Sequence, residues 1–461
     1  MLNNPLPLSG SKEGSFPYLT LRDRLPIILT RIVDQLCREK KSICEEYGEG
    51  SAEEIKSVVG RLSELKNELQ TNKPFKTLIA SKSNNPKFDD DVNYNTAIES
   101  YRKSYKADPK WFEVAWLFAE CYFYKRIDNS FKSSNLLSSY DPFKIQKIKA
   151  CEDVQESIEF LSQRTVKDIS SLPSQDEMKK IVFEMVEISL WGNQYDLSIA
   201  SGETLSQESI VTRLSSLREN IIACDLESFW DFLIKLPENK KHIAFVSDNA
   251  GLELFADLCL ASLLTEYKLV NNVTFYPKTR PWYVSDTLRC DIKWTLDYLT
   301  GFKGDVKEMG QRIKNYFEEG TWDIKENKFW TTHHDYSEMK KVDPELYNEL
   351  GTYSFVIFKG DLNYRKLFGD LDWPNNTSLR TALRGFQPSP LLILRTIKGG
   401  PTVGLDESSA KVINAKLNED WNISGKIGLI HFTTHQRDLN FFMTVLLSST
   451  AIVLIAYLCR S

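Results

Sequence analysis

The chain has no Cys-x-x-Cys pair, no basic excess and no glycine-rich phosphate loop, and each absence removes a class of function. Its eight cysteines (Cys37, Cys44, Cys121, Cys151, Cys224, Cys259, Cys290 and Cys459) are scattered singly. Such spacing builds neither a cysteine zinc site nor a disulfide framework, and a reducing, cytoplasmic location is expected. With 58 basic against 63 acidic residues and a net charge of −5, there is no broad positive field, so nucleic acid is not expected as a partner. No Gly-x-Ser-x-Gly elbow, Walker A or Gly-x-Gly-x-x-Gly sequence occurs, which leaves serine-histidine hydrolysis and P-loop chemistry without a signature. Histidine is scarce, at five residues. The adjacent His333 and His334 in "FWTTHHDYSEM" have no helical His-x-x-x-His or His-Glu-x-x-His motif beside them, and neighbours on an extended segment point to opposite sides. They suit an aromatic-rich loop near the site entrance.

Long apolar runs are also missing until the carboxyl end. "MLNNPLPLSGSKEGSF" lacks the basic start and apolar core of a secretory signal. From 439 to 459, "LNFFMTVLLSSTAIVLIAYLC" carries no charge, and a helix of that length spans roughly 31 Å, close to the hydrocarbon thickness of a bilayer. The expectation is a transmembrane helix at 435–461, a tail anchor attaching a cytoplasmic domain to an intracellular membrane.

What is present divides into two patterns. A chain of 461 residues with 42% hydrophobic content is long enough for more than one domain. After a flexible stretch at 1–15, residues 16–201 read as helical. Leu25, Ile28, Leu29, Ile32, Val33 and Leu36 form an amphipathic stripe, and Ser51 with Glu54 stands at capping-box spacing. Asn193 and Asp196 close this region and suit a domain junction. From 202 to 434, short β-branched or apolar runs at 243–246, 273–276, 354–358, 391–395 and 427–432 alternate with helical periods. That alternation predicts an α/β domain, a Rossmann-like α/β/α sandwich with a mostly parallel sheet.

Strand-like runs in this half end in polar groups. "HIAFVSDNAGLELFADL" stops at Asp248 and Asn249 before helical spacing resumes at Leu252, Phe255, Ala256, Cys259 and Leu263. "TFYPKTRPWYVSD" leads to Asp286 through a short extended piece at 282–284. "SFVIFKGDLNYRKL" delivers Asp361 and, one turn later, Arg365, while "LLILRTIKGG" delivers Arg395, Thr396 and Lys398. In a parallel sheet these carboxyl ends share one edge, where open α/β folds bind ligands. Each group alone has a plain structural use: Asp248 or Asn249 suits a helix cap worth about 1 kcal/mol, and Asp361 with Arg365 suits a solvated i,i+4 pair worth roughly 0.2–0.5 kcal/mol. Together, two aspartates and an amide oxygen make a hard ligand set for Mg²⁺ or Mn²⁺, and Arg365 with Lys398 supplies the cations a phosphate ester needs. Glu253 lies four residues after Asn249.

At these residues the chain resembles the metal-dependent damage-control phosphatases, also described as acidic-residue methyltransferase-1-like or domain-of-unknown-function-89 proteins. The matching pieces are "SFPYLTLRDRLPIILTRIVDQL", "WGNQYDLS", "VSDNAGLELFADL", "PWYVSD", "FKGDLNYRKL" and "LRTIK", the last fitting the RTxK motif of the sugar-phosphate subfamily. The resemblance implies a helical amino-terminal domain on an α/β/α phosphatase domain with one divalent-metal site. It implies Asp248, Asn249 and Asp286 as catalytic metal ligands, and Glu253, Asp361, Arg365 and Lys398 as substrate contacts. The ion would be Mn²⁺, with Co²⁺, Ni²⁺ or Mg²⁺ as alternatives. The implied activity is hydrolysis of small phosphorylated metabolites such as fructose 1-phosphate or fructose 6-phosphate through a metal-activated water. The alternative is S-adenosylmethionine-dependent methylation of protein glutamates, for which no glycine-rich methyl-donor loop is visible. The apolar tail departs from the family pattern.

Overall fold

The computed structural model describes residues 4–78, 91–171, 173–192, 217–407, 409, 411, 413 and 421–434. Seven strands form one sheet in the order β1-β7-β6-β5-β2-β3-β4, where β1 is Ile221–Cys224, β2 His242–Val246, β3 Asn272–Tyr276, β4 Trp322–Ile324, β5 Phe355–Lys359, β6 Leu391–Thr396 and β7 Gly428–Thr433. β6, β5, β2, β3 and β4 are mutually parallel, and β7 pairs antiparallel with β6 and parallel with β1. Ile243, Phe245, Ile357 and Leu392 face one apolar layer; Ala244, Val246, Val356 and Ile393 face the other. Burial on both faces is why these runs are continuously apolar. The result is a Rossmann-like α/β/α sandwich. The expected runs all form strands; β1, four residues long, is not among them, and the three-residue β4 lacks the length to stand out in sequence.

A third core joins helices between Leu21 and Phe143, and it also takes in Trp282 and Leu362 of the α/β region. Of the amphipathic stripe, Leu25, Ile28, Leu29, Ile32 and Leu36 are buried. Helices Gln155–Ser170 and Gln175–Trp191 instead contribute Ile158, Leu161, Val182 and Met185 to the sheet-side core, with Phe255 and Leu258 of helix Leu252–Glu266. The capping box expected at Ser51 does not form. Gly50 caps helix Ser51–Gln70, and Glu54 instead accepts the backbone N–H groups of Asn135, Leu136 and Leu137 at 3.0, 2.9 and 3.2 Å. Exposed loop amides outcompete the helix's own start for that carboxylate.

The tail-anchor expectation is corrected. Among the described residues no helix is long and apolar enough to cross a membrane. Ser51–Gln70 has the length but is charged along it, and apolar Leu252–Glu266 has 15 residues, short of the roughly 20 that a hydrocarbon core requires. The segment 435–461 lies outside the described residues, and the transmembrane helix, membrane attachment and tail-anchored location are withdrawn with it. Asn193 and Asp196 also lie outside them.

Helix Gly360–Phe368 buries Lys366 between the rings of Phe329 and Tyr336, 5.7 and 5.5 Å away. Its Nζ donates to the carbonyl of Thr332 at 2.9 Å. Burial, with Lys278 adding to it, pushes the ammonium down to about 8. The unfolded chain therefore holds more protons than the folded one between about pH 8 and the ordinary lysine value near 10.4, so stability rises with pH across that window. Lys366→Met removes that rise: at pH 7 the variant is more stable by on the order of 2–3 kcal/mol, and the gap closes by about pH 10. Urea unfolding of both chains at pH 7, 8.5 and 10 checks this, and a gap independent of pH would refute it.

Candidate active site

The carboxyl edge of the parallel strands gathers the expected polar groups. Asp248 and Asn249 follow β2, and the loop after β3 returns beside them. Asn249 and Asp286 form an antiparallel bridge, Ala250 N–H donates to Ser285 O at 2.8 Å, and Thr287 N–H donates to Asp248 O at 2.7 Å. Backbone pairing thus fixes the distant Asp286 against Asp248. The cap reading fails, because Gly251, at φ +80°, caps helix Leu252–Glu266 and no side chain bonds its amino terminus. The extended piece expected at 282–284 is a turn instead, with Tyr283 at φ +45° and Val284 at φ +72°. A β-branched residue in the left-handed region is strained, by about 1–3 kcal/mol. The helical core holds it there: Trp282 is buried in that core, Tyr283 stacks on Tyr124 at 4.5 Å, and its hydroxyl donates to Glu120 Oε2 at 3.3 Å.

Asp248, Asn249, Asp286, Asp361, Arg365 and Lys398 all line one cleft of about 160 Å³. Glu253 does not line it. It stands behind, where its Oε2 accepts from Asn249 Nδ2 at 2.8 Å and Oε1 lies 3.4 Å from Lys359 Nζ. The same Asn249 Nδ2 donates to Asp248 Oδ2 at 2.7 Å, and Ser285 Oγ donates to Asn249 Oδ1 at 2.5 Å. Lys359 in turn contacts Asp257 at 2.9 Å and Ser189 Oγ at 2.6 Å, tying the site to helix Gln175–Trp191. The amide is therefore held at both ends.

Acidic crowding dominates the electrostatics. Burial, then the neighbouring Glu253 and Asp286, holds the Asp248 carboxyl well above the usual carboxylate range, against the pull of Lys278 and Lys398. Burial pushes Asp286 up to about 6, opposed by Lys278. Asp286 Oδ2 is buried with no well-formed hydrogen bond, and its ion pair with Lys278 Nζ spans 3.2 Å. A buried carboxylate oxygen short of donors, beside a second aspartate and an amide oxygen, is a donor set that a hard divalent cation satisfies. Among the described residues no three His, Cys, Asp or Glu side chains are grouped to hold an ion, so a cation here depends on the Asn249 amide.

The cationic wall differs from the sequence expectation. Asp361 and Arg365 do not pair with each other. Arg395 Nε donates to Asp361 Oδ1 at 2.8 Å, while Arg365 donates to Asp370 through Nε and Nη2 at 2.9 and 2.8 Å and to Glu120 through Nη1 at 2.6 Å. Arg365 also lies 3.5 Å from the centre of the Trp116 ring. The arginine of the RTxK stretch, Arg395, is fully buried and bonds the carbonyls of Pro401 and Gly399, so it shapes the loop that carries Lys398. His333 and His334 stand apart from the cleft. His333 packs 5.1 Å from Tyr94 and 5.0 Å from Phe118, and burial keeps it neutral, well below its usual value.

Strand-end reasoning misses the lining residues that come from the helical region or from the strained turn: Phe16, Arg24, Trp116, Glu120, Tyr283 and Ser285. The available signal is that Phe16 and Arg24 stand within "SFPYLTLRDRLPIILTRIVDQL", a stretch noted for resemblance and not for chemistry.

The profile of the damage-control phosphatase ARMT1-like domain matches residues 20–412. Damage-control phosphatase ARMT1 of Danio rerio is 35% identical over 446 residues, covering 94% of this chain and 98% of that protein. The Homo sapiens protein of the same name is 37% identical over 442 residues, covering 93% and 98%. A solved DUF89-family protein of Pyrococcus horikoshii overlaps 75% of this chain and 90% of its own at 15% identity and a TM-score of 0.38, too distant a likeness to transfer any residue role. The match across most of the chain, with near-complete coverage of the relatives, makes this protein a phosphatase, and it belongs to the damage-control phosphatase ARMT1-like domain family.

Proposed function

We propose that the chain is a divalent-metal-dependent phosphatase of small phosphomonoesters, with sugar phosphates such as fructose 1-phosphate and fructose 6-phosphate as its substrate class. The observation that carries this reading is a small cleft in which buried aspartates face cations across the carboxyl edge of the sheet. Asp248, Asn249 and Asp286 would hold the ion, Mn²⁺ foremost, with Co²⁺, Ni²⁺ and Mg²⁺ as alternatives. Such an ion supplies Lewis-acid polarisation of the ester and a lowered pKa for water. The chain's own groups do the rest. Asn249, pinned by Asp248, Glu253 and Ser285, keeps the carboxylates in register. The Lys398 ammonium has no hydrogen-bond or ion-pair partner among the described residues and meets the phosphoryl oxygens as a point charge. Asp361 is engaged through Oδ1 by Arg395 and by the Lys398 N–H at 3.3 Å, which leaves Oδ2 for a substrate hydroxyl. Arg365, held by Asp370 and Glu120, shapes the wall, and Lys398 supplies its charge.

Phosphate release from a panel of phosphorylated metabolites, assayed with Mn²⁺, Co²⁺, Ni²⁺ or Mg²⁺ and with a chelator, tests the reading. Turnover is expected only with metal and is expected to be highest on sugar phosphates. Hydrolysis indifferent to metal would overturn it, as would labelled methyl transfer from S-adenosylmethionine to protein carboxylates with no ester hydrolysis.

A further inference from the structure

We infer that the helical region completes the substrate site with Arg24, whose guanidinium takes the phosphoryl group opposite Lys398; the inference rests on the phosphatase reading above and adds its anion clamp. The cleft is lined by three cations, Arg24, Arg365 and Lys398. Arg365 cannot serve as a free clamp. Two of its nitrogens are on Asp370 and a third is on Glu120, one face is covered by Trp116, and its side chain is 3% exposed. Drawing it onto a substrate would leave buried carboxylates unpaired, which costs several kcal/mol.

Arg24 is in the opposite condition. It is exposed and lines the cleft, with no hydrogen-bond or ion-pair partner among the described residues. The nearest acid in sequence does not neutralise it, because Asp23 is held by Arg22 through two bonds of 2.7 and 2.8 Å. The local backbone explains its aim. Thr20–Arg24 is a π-helical turn between helices Phe16–Leu19 and Leu25–Arg38, a widening common at functional sites. The wider turn keeps Leu21 and Leu25 fully buried on one side while Arg24 reaches the cleft on the other. A free planar guanidinium offers two parallel donors to a phosphoryl group, and Lys398 adds a point charge. The cations that bind the substrate anion thus come from two different layers of the molecule.

The test compares Arg24→Ala and Arg24→Lys with wild type in the full, metal-loaded chain. For Arg24→Ala, KM for fructose 6-phosphate and the inhibition constant of inorganic phosphate both rise roughly ten- to a hundredfold, while kcat changes by less than about threefold. Calorimetric titration with inorganic phosphate shows the same loss without turnover. Arg24→Lys recovers part of it, because charge returns without the bidentate geometry. Tm stays within about 2 °C, since an exposed side chain with no partner is removed. Unchanged KM and phosphate affinity would overturn the assignment, as would a loss of turnover that tracks a loss of Tm. A wild-type chain that binds phosphate, with affinity lost in Arg24→Ala, yet hydrolyses no ester would refute the phosphatase reading and leave the clamp standing.

Discussion

Asp248→Asn is expected to lower kcat/KM for metal-stimulated ester hydrolysis by a factor on the order of 10³ and to erase the rise in Tm that the proposed metal site predicts for the wild-type chain with Mn²⁺. The substitution keeps the volume and removes one charge. Asp248 is buried against Glu253 and Asp286, with Asn249 Nδ2 donating to its Oδ2 at 2.7 Å. Without a cation the carboxylate is costly, since burial and like charges both oppose it; with one, on the proposed reading, it would be a principal anchor. The metal-free variant should therefore melt at or above the wild-type temperature while failing to respond to Mn²⁺. Thermal melts with and without the ion, read beside turnover, separate this from general damage. A variant that keeps both its activity and its Mn²⁺ response would remove Asp248 from the site.

The second large effect is expected at a residue with no side chain. Gly360 has φ +83°, and a Cβ there would stand 1.8 Å from Asp248 Oδ2 and 2.1 Å from its carboxyl carbon. The main chain between β5 and helix Gly360–Phe368 thus forms the surface against which the aspartate is seated. Gly360→Ala incurs the left-handed backbone cost and also forces the carboxylate aside, together about 2–4 kcal/mol of stability. A shift of about 1 Å at a reacting group suffices for a hundredfold loss of turnover. Gly320→Ala is the control: Gly320 is also left-handed, at φ +76°, but a Cβ there meets nothing within 4 Å. It should cost about 1 kcal/mol and leave turnover intact. Equal activity in the two variants would mean that Gly360 does not seat Asp248.

Periodicity made the sheet readable, because strands buried on both faces must be continuously apolar for as long as they run. β2, β5 and β6 carry that mark over four residues each, β3 and β7 are interrupted by Thr274 and His431, and the polar strand ends followed from the parallel topology. β4, at three residues, is too short to show any period. Helices Gln155–Ser170 and Gln175–Trp191 show the same spacing as the helices before them, yet they pack on the sheet side. Spacing reports that one face is buried and does not report what covers it.

The sequence by itself determined the α/β architecture and which oxygens and cations stand at strand ends, because alternation and strand length are properties of consecutive residues. Only the tertiary structure decided how those groups are paired. Arg365 turns from Asp361 to Asp370 and Glu120, Asp361 is taken by Arg395, and the strained turn before Asp286 is held by aromatic rings of the helical core. Such choices depend on distances between segments far apart in the chain and on which ion pair is most deeply buried, and local pattern encodes neither.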